Sequence, residues 1–395
     1  MMQRSTVHRI AIPPCKIGMA RKARTKGPHI MPSPGPETRI EMRREKATCD
    51  IFSDYDERLW RLAASGDVRI ITDHGVPHRF RYIRKNVAAT TPAFLKGNQI
   101  IEGIALGLRM YCEGLRWKKA AFVTLGSGHG FVLAAIQCLL SPFLRPKPHV
   151  IFDCLWEPGR TIWQKLFLRI RVAIVNSAVD TCVVYGVPDV QNFHASLGIK
   201  KRKIRFLFYH NTLEGFECRC KDGEYVFTGG TEGREFDPVI EACLDIGIPL
   251  RIATWDKTLI HRWAGYPTIH VASVTPLEFA TLMAESRFVV VPHGKTLLRT
   301  GGHQTFINAL WMGKAVILYN SDIAKGYVTH GEDAVVIPYG DRDGLRAWVR
   351  LLHSSCDLRE RIGRQARHTV LMKGLTPQMW ARRIYNLATR NYRSS

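Results

Sequence analysis

The residues most suited to chemistry lie in a loop between a β-branched run and a helix-like segment. Val289–Val291 is a short apolar run that Pro292 ends, and the pair Gly301-Gly302 directly precedes a helical pattern. Glycines at this point let backbone N–H groups approach an anion, which the helix dipole also favours. The alternative is a tight turn that only joins a strand to a helix. The predicted donors to an anion are Gly301, Gly302, His303, Gln304 and Thr305.

Arg234 is the second candidate, because it follows Gly229-Gly230 at the end of another apolar run. A planar guanidinium can bind two phosphate oxygens and neutralise a departing diphosphate. The alternative is a surface salt bridge to Glu232 or Glu235. We predict Gly230 and Arg234 at a diphosphate, with Lys295 or Arg299 as a second cation.

His129 lies in the sequence GSGHG, directly after the apolar run 120–125. At the end of a strand, it could orient an acceptor or serve as a general base. A histidine in a glycine-rich loop is more often structural or simply exposed, and that alternative stays open. Weaker candidates for the acceptor side are Asp73, His74, His78 and Glu157.

Composition favours an anionic partner. The 395 residues include 57 Lys and Arg against 34 Asp and Glu, a net charge of +23. Nucleotides, phosphorylated sugars, anionic membranes and nucleic acids fit that charge, whereas simple solubility is the alternative. The ten cysteines are scattered without a CxxC pair, and no HExxH occurs. We therefore predict free thiols in a reducing cytoplasm and no metal site.

Strand-like and helix-like runs alternate from about residue 51 to the C-terminus. Such alternation predicts parallel sheets with helices on both faces. The pattern pauses at 210–223 and restarts, which predicts an α/β protein with two Rossmann-like domains facing across a cleft. The predicted segments are a basic, disordered arm at 1–50, an acceptor-side domain at 51–210, a donor domain at 211–375 and a terminal helix at 376–395.

The helix-like segment 162–176 has two interpretations. Trp163, Phe167 and Ile170 lie beside Lys165, Arg169 and Arg171, so the helix could lie on an anionic membrane. A helix in the core of the first domain is the favoured interpretation. No apolar run reaches about 18 residues, the length that a membrane-spanning helix needs. The N-terminus also lacks the apolar region of a secretory signal.

Several motifs of the second half resemble those of GT-B glycosyltransferases, most closely family 4 (glycosyl transferases group 1). YVFTGGTEGREFDPVIEA (225–242) resembles the family's entry to the donor domain, and RFVVVP resembles its "adv-v-P" strand. TGGHQTFINALWMGKAVILYN resembles "EGFG…EA…G-PVV", and the segment 327–367 resembles the following helical block. The resemblance covers residues 225–392 well and the first half only from about 120. It implies a GT-B fold whose C-terminal helix crosses back to the first domain.

Two positions depart from the family pattern. The family has two acidic residues spaced E-x7-E, where this chain has Thr300 and Asn308. In the family the first acid lies by the transferred sugar and the second holds ribose hydroxyls. Asn308 can still bond a hydroxyl as donor and acceptor, but Thr300 supplies no carboxylate. We predict both residues at the donor, and the departure affects the retaining chemistry that the resemblance implies.

The resulting prediction is a metal-independent glycosyltransferase of the retaining hexosyltransferase type, with no cofactor besides its nucleotide-sugar. Its acceptor would be a glycan or lipid-linked, in the cytoplasm or at the inner face of the membrane. His129, Arg234 and Lys295 are the predicted catalytic residues. One alternative is another GT-B enzyme, an epimerase or a pyridoxal-type phosphorylase using Lys295 or Lys314. Another is a basic nucleic-acid-binding or scaffold protein, which the separation of aromatic from basic residues disfavours.

Overall fold

A computed structural model describes residues 68–73, 84–86, 99–126, 129–154, 156, 159, 161–213, 220, 222–231, 233–294 and 299–392. The predicted arm 1–50 and the candidates His74, His78, Glu157 and Lys295 lie outside these ranges, and at His129 only the backbone is described.

Twelve strands form two six-stranded sheets within the described ranges, and every pairing is parallel. The strands of the first sheet are β1 (Arg69–Thr72), β2 (Arg84–Asn86), β3 (Ala120–Leu125), β4 (His149–Phe152), β5 (Thr181–Val184) and β6 (Ile204–Phe206). Those of the second are β7 (Val226–Gly229), β8 (Leu250–Ala253), β9 (Ile269–Ala272), β10 (Phe288–Pro292), β11 (Val316–Tyr319) and β12 (Val335–Ile337).

Helices connect the strands, as parallel pairing requires. In the first half they are α1 (Gln99–Leu115), α2 (His129–Leu140), α3 (Ile162–Ala178) and α4 (Asp189–Leu197). In the second half they are α5 (Asp237–Ile246), α6 (Lys257–Arg262), α7 (Pro276–Glu285), α8 (His303–Trp311), α9 (Ser321–Ala324), α10 (Arg342–Ser354), α11 (Cys356–Met372) and α12 (Pro377–Thr389).

The first sheet has the strand order β2-β1-β3-β4-β5-β6. Its residues alternate between two buried faces. Phe122 and Ile151 pack on the side of α1, α2 and α3, in clusters with Leu106 and Val172. Phe152, one residue further along β4, points the other way and meets the ring of Trp380 edge-on, with ring centroids 5.3 Å apart.

The second sheet has the order β12-β11-β10-β7-β8-β9, which is the doubly wound Rossmann order. Alternating residues again separate two cores. Phe288 and Val290 join one cluster, while Val289 and Val291 join the cluster on the opposite face. The unbroken β-branched run 289–291 is therefore explained by burial on both sides of a parallel sheet.

The terminal helix α12 crosses back to the first sheet, as the family resemblance implied. Besides the contact of Trp380 with Phe152, the Tyr392 hydroxyl donates to the Ala120 carbonyl at 2.7 Å. The start of this helix also lies beside the predicted linker, because Asn211 donates its backbone N–H to the Leu375 carbonyl at 2.9 Å.

Two predictions about helices were incomplete. The sequence pattern predicts no helix between β8 and β9, but α6 lies between them, with Asp256 accepting from the N–H groups of Thr258 and Leu259. A parallel pair cannot be joined by a hairpin, so a crossover was required there. In α3 only Val172, Val175 and Ala178 are buried, so the first half of the helix does not lie in the core. No helix in the described ranges is long and apolar enough to cross a membrane.

Candidate functional site

The candidate site lies where the second sheet reverses its strand order, between β7 and β10. Ligands of doubly wound proteins bind at this point, outside the carboxyl ends of the strands. The loops after the two strands are joined by backbone bonds. Gly294 donates to the Gly233 carbonyl at 2.8 Å, and Glu235 donates to the Pro292 carbonyl at 3.1 Å. These bonds fix the position of Arg234 between them.

The structure brings Arg234 and Gly302 together. The Arg234 Nε donates to the Gly229 carbonyl at 3.1 Å. A Cβ at Gly302 would lie 2.9 Å from both terminal guanidinium nitrogens, and one at Gly230 would lie 2.8 Å from Nε. Gly302 also has φ +83°, a conformation that favours glycine. The guanidinium therefore lies against the start of α8, and glycines at 230 and 302 make the room.

Helix α8 begins without a side-chain cap. Gly302 occupies the N-cap position and has no side chain to bond the first N–H groups of the helix. Such groups attract an anion, and the adjacent guanidinium adds a full positive charge. Of the predicted backbone donors, those of His303, Gln304 and Thr305 lie in this first turn. An anion bound here would interact both with the positive end of the helix dipole and with the Arg234 guanidinium.

His293, which the sequence analysis did not select, fixes the loop before α8. Its Nδ1 contacts the Gly294 carbonyl at 3.1 Å and must carry the proton, so its Nε2 accepts from the Gly301 N–H at 3.0 Å. Burial, with the charge of Arg234 as the next cause, lowers the His293 pKa to about 4, so the ring is neutral at pH 7. The predicted donor Gly301 is thus already bonded. The sequence signal that could have identified His293 is its position as a polar residue directly after a strand.

The side chain of His303 packs inside the protein. Its ring lies 5.0 Å from that of Tyr327 and 5.6 Å from that of Phe306, measured between centroids. Burial, with the nearby His293 and Arg234 as further causes, lowers the His303 pKa to about 3. The imidazole is therefore neutral and enclosed, and a role for His303 in anion binding rests on its backbone N–H.

Thr300 is bonded to an acidic residue of the first half of the chain. Its N–H donates to Asp189 Oδ1 at 2.8 Å, and its hydroxyl donates to Oδ2 at 3.1 Å. Asp189 begins α4, is 2% exposed and also accepts from the Gly186 N–H at 3.0 Å. Burial raises its pKa despite these bonds. A carboxylate therefore lies beside Thr300, and it is the side chain of Asp189.

Asn308 is bonded to the segment between the domains. Its Oδ1 accepts from the Thr212 N–H at 2.7 Å, and its Nδ2 donates to the Thr212 hydroxyl at 2.9 Å. Gln304 Nε2 also donates to this hydroxyl, at 3.1 Å. A ribose at Asn308, as predicted, would have to replace these bonds, so that role stays a prediction.

The carboxyl ends of the two sheets face each other. A cavity after β4 and β5 is bordered by Asp153 and Tyr185 from the first sheet and by Arg299 and Thr300 from the second. The Tyr327 hydroxyl donates to the Tyr185 carbonyl at 2.8 Å across the same boundary. Asp153 has φ +51°, a left-handed conformation that is uncommon for a residue other than glycine. The cavity therefore lies between the predicted acceptor-side domain and the predicted donor domain.

Asp73, one of the weaker candidates, lies at the carboxyl end of β1, beside the point where the first sheet reverses its order. It is 8% exposed, and its Oδ1 accepts from the Leu125 N–H at 3.2 Å. Its Oδ2 is buried and has no hydrogen-bond partner among the residues that the structure describes. Burial raises the Asp73 pKa to about 7. The native chain therefore binds a proton at this carboxyl that the unfolded chain releases near pH 4.

This difference predicts a pH-dependent effect of Asp73→Asn. Because the folded pKa lies above the unfolded value, the wild-type chain loses stability as pH rises from about 4 to about 7. Asparagine keeps the shape and the bond to Leu125 but cannot ionise, so we expect it to be the more stable variant at pH 8, by up to about 4 kcal/mol. Urea midpoints at pH 4.5, 6 and 8 measure the gap between the two chains. A gap that does not widen with pH contradicts the prediction, and Asp343→Asn, whose side chain is 94% exposed, serves as the control.

Lys314 does not lie at this site. Its amine donates to the Ser286 carbonyl at 2.6 Å, before the start of β11 and at the opposite edge of the sheet. That position does not suit the cofactor lysine of a phosphorylase. Among the described residues, no three His, Cys, Asp or Glu side chains are grouped as a metal site requires.

Comparisons with known proteins give structural relatives only. No family model and no curated protein matches the sequence. The chain is similar to a sucrose-phosphate synthase from Thermosynechococcus elongatus, with a TM-score of 0.59, 12% identity and coverage of 85% of this chain and 92% of that one. It is also similar to Anabaena HepE in complex with UDP, with a TM-score of 0.56, 12% identity and coverage of 84% and 100%.

A third similar structure is WaaG, a glycosyltransferase involved in lipopolysaccharide biosynthesis. Its TM-score is 0.52 at 13% identity, with coverage of 85% of this chain and 95% of that one. These relatives are GT-B glycosyltransferases. The chain therefore has the predicted fold, two Rossmann-like domains facing across a cleft.

Proposed function

We propose that this GT-B protein is a glycosyltransferase that moves a sugar from a nucleotide-sugar donor to an acceptor hydroxyl. The observation that carries the proposal is the guanidinium of Arg234 lying against the uncapped start of α8. A diphosphate placed there would accept N–H groups of the first turn and two bonds from the arginine. The same groups would stabilise the charge that develops on the departing nucleotide diphosphate.

The other predicted site residues differ in how well the structure supports their proposed roles. Thr305 and Gln304 belong to the first turn of α8 and Gly230 gives Arg234 its room, so all three fit a diphosphate subsite. Lys295, predicted as a second cation, is outside the described residues, and His129 begins α2 after the carboxyl end of β3, a central strand of the first sheet. Assigning His129 to the acceptor therefore rests on its place in the chain.

The donor is proposed to be a hexose attached to a nucleoside diphosphate. Structures with this fold include HepE in complexes with UDP and with UDP-glucose, which makes UDP-hexoses the first donors to test. Membership of family 4 and retention of the anomeric configuration are proposals that rest on the motif resemblance. Retention draws some support from Asp189, whose carboxylate lies at Thr300. Cationic groups at the diphosphate replace a metal ion in this proposal.

The donor panel gives the first test. We expect one or more UDP- or GDP-hexoses, at concentrations well above Kd, to raise the melting temperature of the purified protein, because the ligand binds only the folded chain. Incubation of that donor with candidate glycan and lipid-linked acceptors should then give a product whose anomeric configuration NMR can assign. EDTA should leave the transfer rate unchanged. If none of the donors shifts the melting temperature and none is hydrolysed or transferred, the proposed function is wrong.

A further inference from the structure

The first domain carries a broad apolar surface on one side. Helices α1, α2 and α3 lie side by side on one face of the first sheet, as the close approach of Gly107 to Val132 and the edge contact of Phe131 with Phe167 show. Their outward side exposes large apolar residues along all three helices. These are Ile101, Ile104, Leu108 and Leu115 on α1, Leu139, Phe143 and Leu144 at the end of α2, and Ile162, Trp163, Leu166, Phe167 and Ile170 on α3. We call this set the helical face.

The exposure is highest at helix ends and continues along the helices, where Leu108 is 47% and Phe167 52% exposed. Trp163 is 78% exposed, Ile162 82% and Phe143 83%. On α3 the residues 162, 166 and 170 recur at helical spacing, and the capping box of Thr161 with Gln164 fixes where the helix begins. Soluble monomers rarely show apolar patches of this extent unless a partner covers them. The helical face is thus built to meet an apolar partner.

The charges of the helical face indicate what that partner is. Lys165 and Arg169 are exposed between the apolar residues of α3, and this helix has no acidic residue in its sequence. Arg145 follows Phe143 and Leu144 in the exposed segment after α2. Apolar side chains interleaved with cations, and a tryptophan at the rim, suit the interface of an anionic bilayer, which takes apolar groups at its acyl boundary and cations at its headgroups.

The helical face also has a defined orientation to the cleft. Each of its helices connects parallel strands, so each runs back against the strand direction and begins at the carboxyl edge of the sheet. The first turns of α1 and α3, with Ile101, Ile104, Ile162 and Trp163, therefore lie at the rim that faces the second domain. A bilayer on the helical face would run up to the acceptor side of the cleft.

We propose that the helical face docks on an anionic membrane and that the acceptor reacts while its lipid part stays in that membrane. This inference rests on the proposed glycosyl transfer, whose acceptor it narrows to a lipid-linked hydroxyl compound. The helices lie parallel to the surface and insert only their outward side chains, as interfacial helices do. Association then needs no spanning segment.

The test uses the full chain and large unilamellar vesicles of phosphatidylcholine with increasing fractions of phosphatidylglycerol. We expect co-sedimentation that rises with phosphatidylglycerol, together with a blue shift of tryptophan emission. Trp163→Ser with Phe167→Ser should lower the partition coefficient on the order of tenfold to a hundredfold, because two buried apolar side chains are lost. Lys165→Gln with Arg169→Gln should weaken binding about tenfold to anionic vesicles and little to neutral ones.

A matched control separates the helical face from general charge attraction. Leu277 and Tyr266, which are 61% and 51% exposed in the second domain, are replaced by serine and should leave vesicle binding unchanged. Thermal unfolding checks that all variants fold. Binding that is absent, or that the Trp163→Ser, Phe167→Ser variant retains in full, overturns the proposal. Concentration-dependent dimers that this variant abolishes would instead make the face a protein interface.

The two proposals fail separately. Vesicle binding requires no donor, and the melting-temperature shift by nucleotide-sugars requires no membrane. A chain that binds donor but not vesicles keeps the transferase and loses the docking surface. Transfer to a lipid-linked acceptor embedded in vesicles, compared with the same headgroup free in solution, completes the test. A higher kcat/KM on the embedded acceptor in the wild-type chain, lost in the Trp163→Ser, Phe167→Ser variant, is the expected result, and equal kcat/KM values overturn the proposal.

Discussion

Replacing Arg234 with alanine is expected to lower kcat/KM for the nucleotide-sugar by about a hundredfold to a thousandfold, the range seen when a preorganised donor to a developing anion is removed. The guanidinium is held by the Gly229 carbonyl and by the close fit of Gly302, so it needs no rearrangement to meet a diphosphate. Arg234→Lys should fall between wild type and alanine, because it restores the charge but not the two-pronged bond. Initial rates over a range of donor concentrations measure both variants.

The control for this experiment is Arg262→Ala. Arg262 lies in the same domain, pairs with Asp237 at 3.2 Å and has a side chain that is 58% exposed. A surface pair of this kind contributes little, so kcat/KM should stay within about twofold of wild type. If Arg234→Ala keeps both the transfer rate and the donor-induced rise in melting temperature, the diphosphate does not bind at α8.

Asp189→Ala is expected to destabilise the protein by about 2–4 kcal/mol, because it removes a buried carboxylate that satisfies three donors. The N–H group of Gly186 would remain buried and that of Thr300 partly buried without a partner, and a buried group of this kind costs roughly 1–3 kcal/mol. The bonds at stake measure 2.8 Å and 3.0 Å. Midpoints of urea unfolding, followed by tryptophan fluorescence, give the change.

Asp189→Asn refines this result. The amide keeps the volume, but it replaces one acceptor oxygen by an NH₂ group that faces donors, so it should cost less than alanine and more than a surface change. Asp237→Ala is the matched control, since the side chain of Asp237 is 51% exposed, and it should shift stability by under about 0.5 kcal/mol. Equal midpoints for Asp189→Ala and Asp237→Ala would show that the contact of Asp189 with Thr300 does not contribute to stability.

Most strands can be predicted from the sequence because strands that are buried on both faces form continuous apolar runs. The apolar run 120–125 coincides with β3, and the run Val289–Val291 lies within β10, which extends one residue further at each end. Runs of β-branched residues between turns identify strands that are buried on both faces. The short helix α6 was missed because its six residues, KTLIHR, are too few to show a helical period.

The candidate site was only partly predictable, for a different physical reason. Arg234 and the start of α8 could be paired because each follows a glycine pair in the segment after a strand. The bond of Thr300 to Asp189 joins residues 111 positions apart in different halves of the chain, and no local pattern reports such a contact. The same holds for Thr212 at Asn308. For α3, periodicity defined the apolar stripe but could not say whether another element covers it.

The return of α12 to the first sheet has a consequence for how the protein is made. The ring of Trp380 packs against Phe152, and the Tyr392 hydroxyl bonds the Ala120 carbonyl, so residues synthesised after the second domain cover strands that were synthesised early. Domains of nascent chains generally fold in order from the N-terminus. Here the first half keeps an apolar face of β3 and β4 uncovered until α12 has been synthesised. The first half thus depends on a helix that is encoded after the second half. Expressing the two halves separately would therefore not yield two stable proteins.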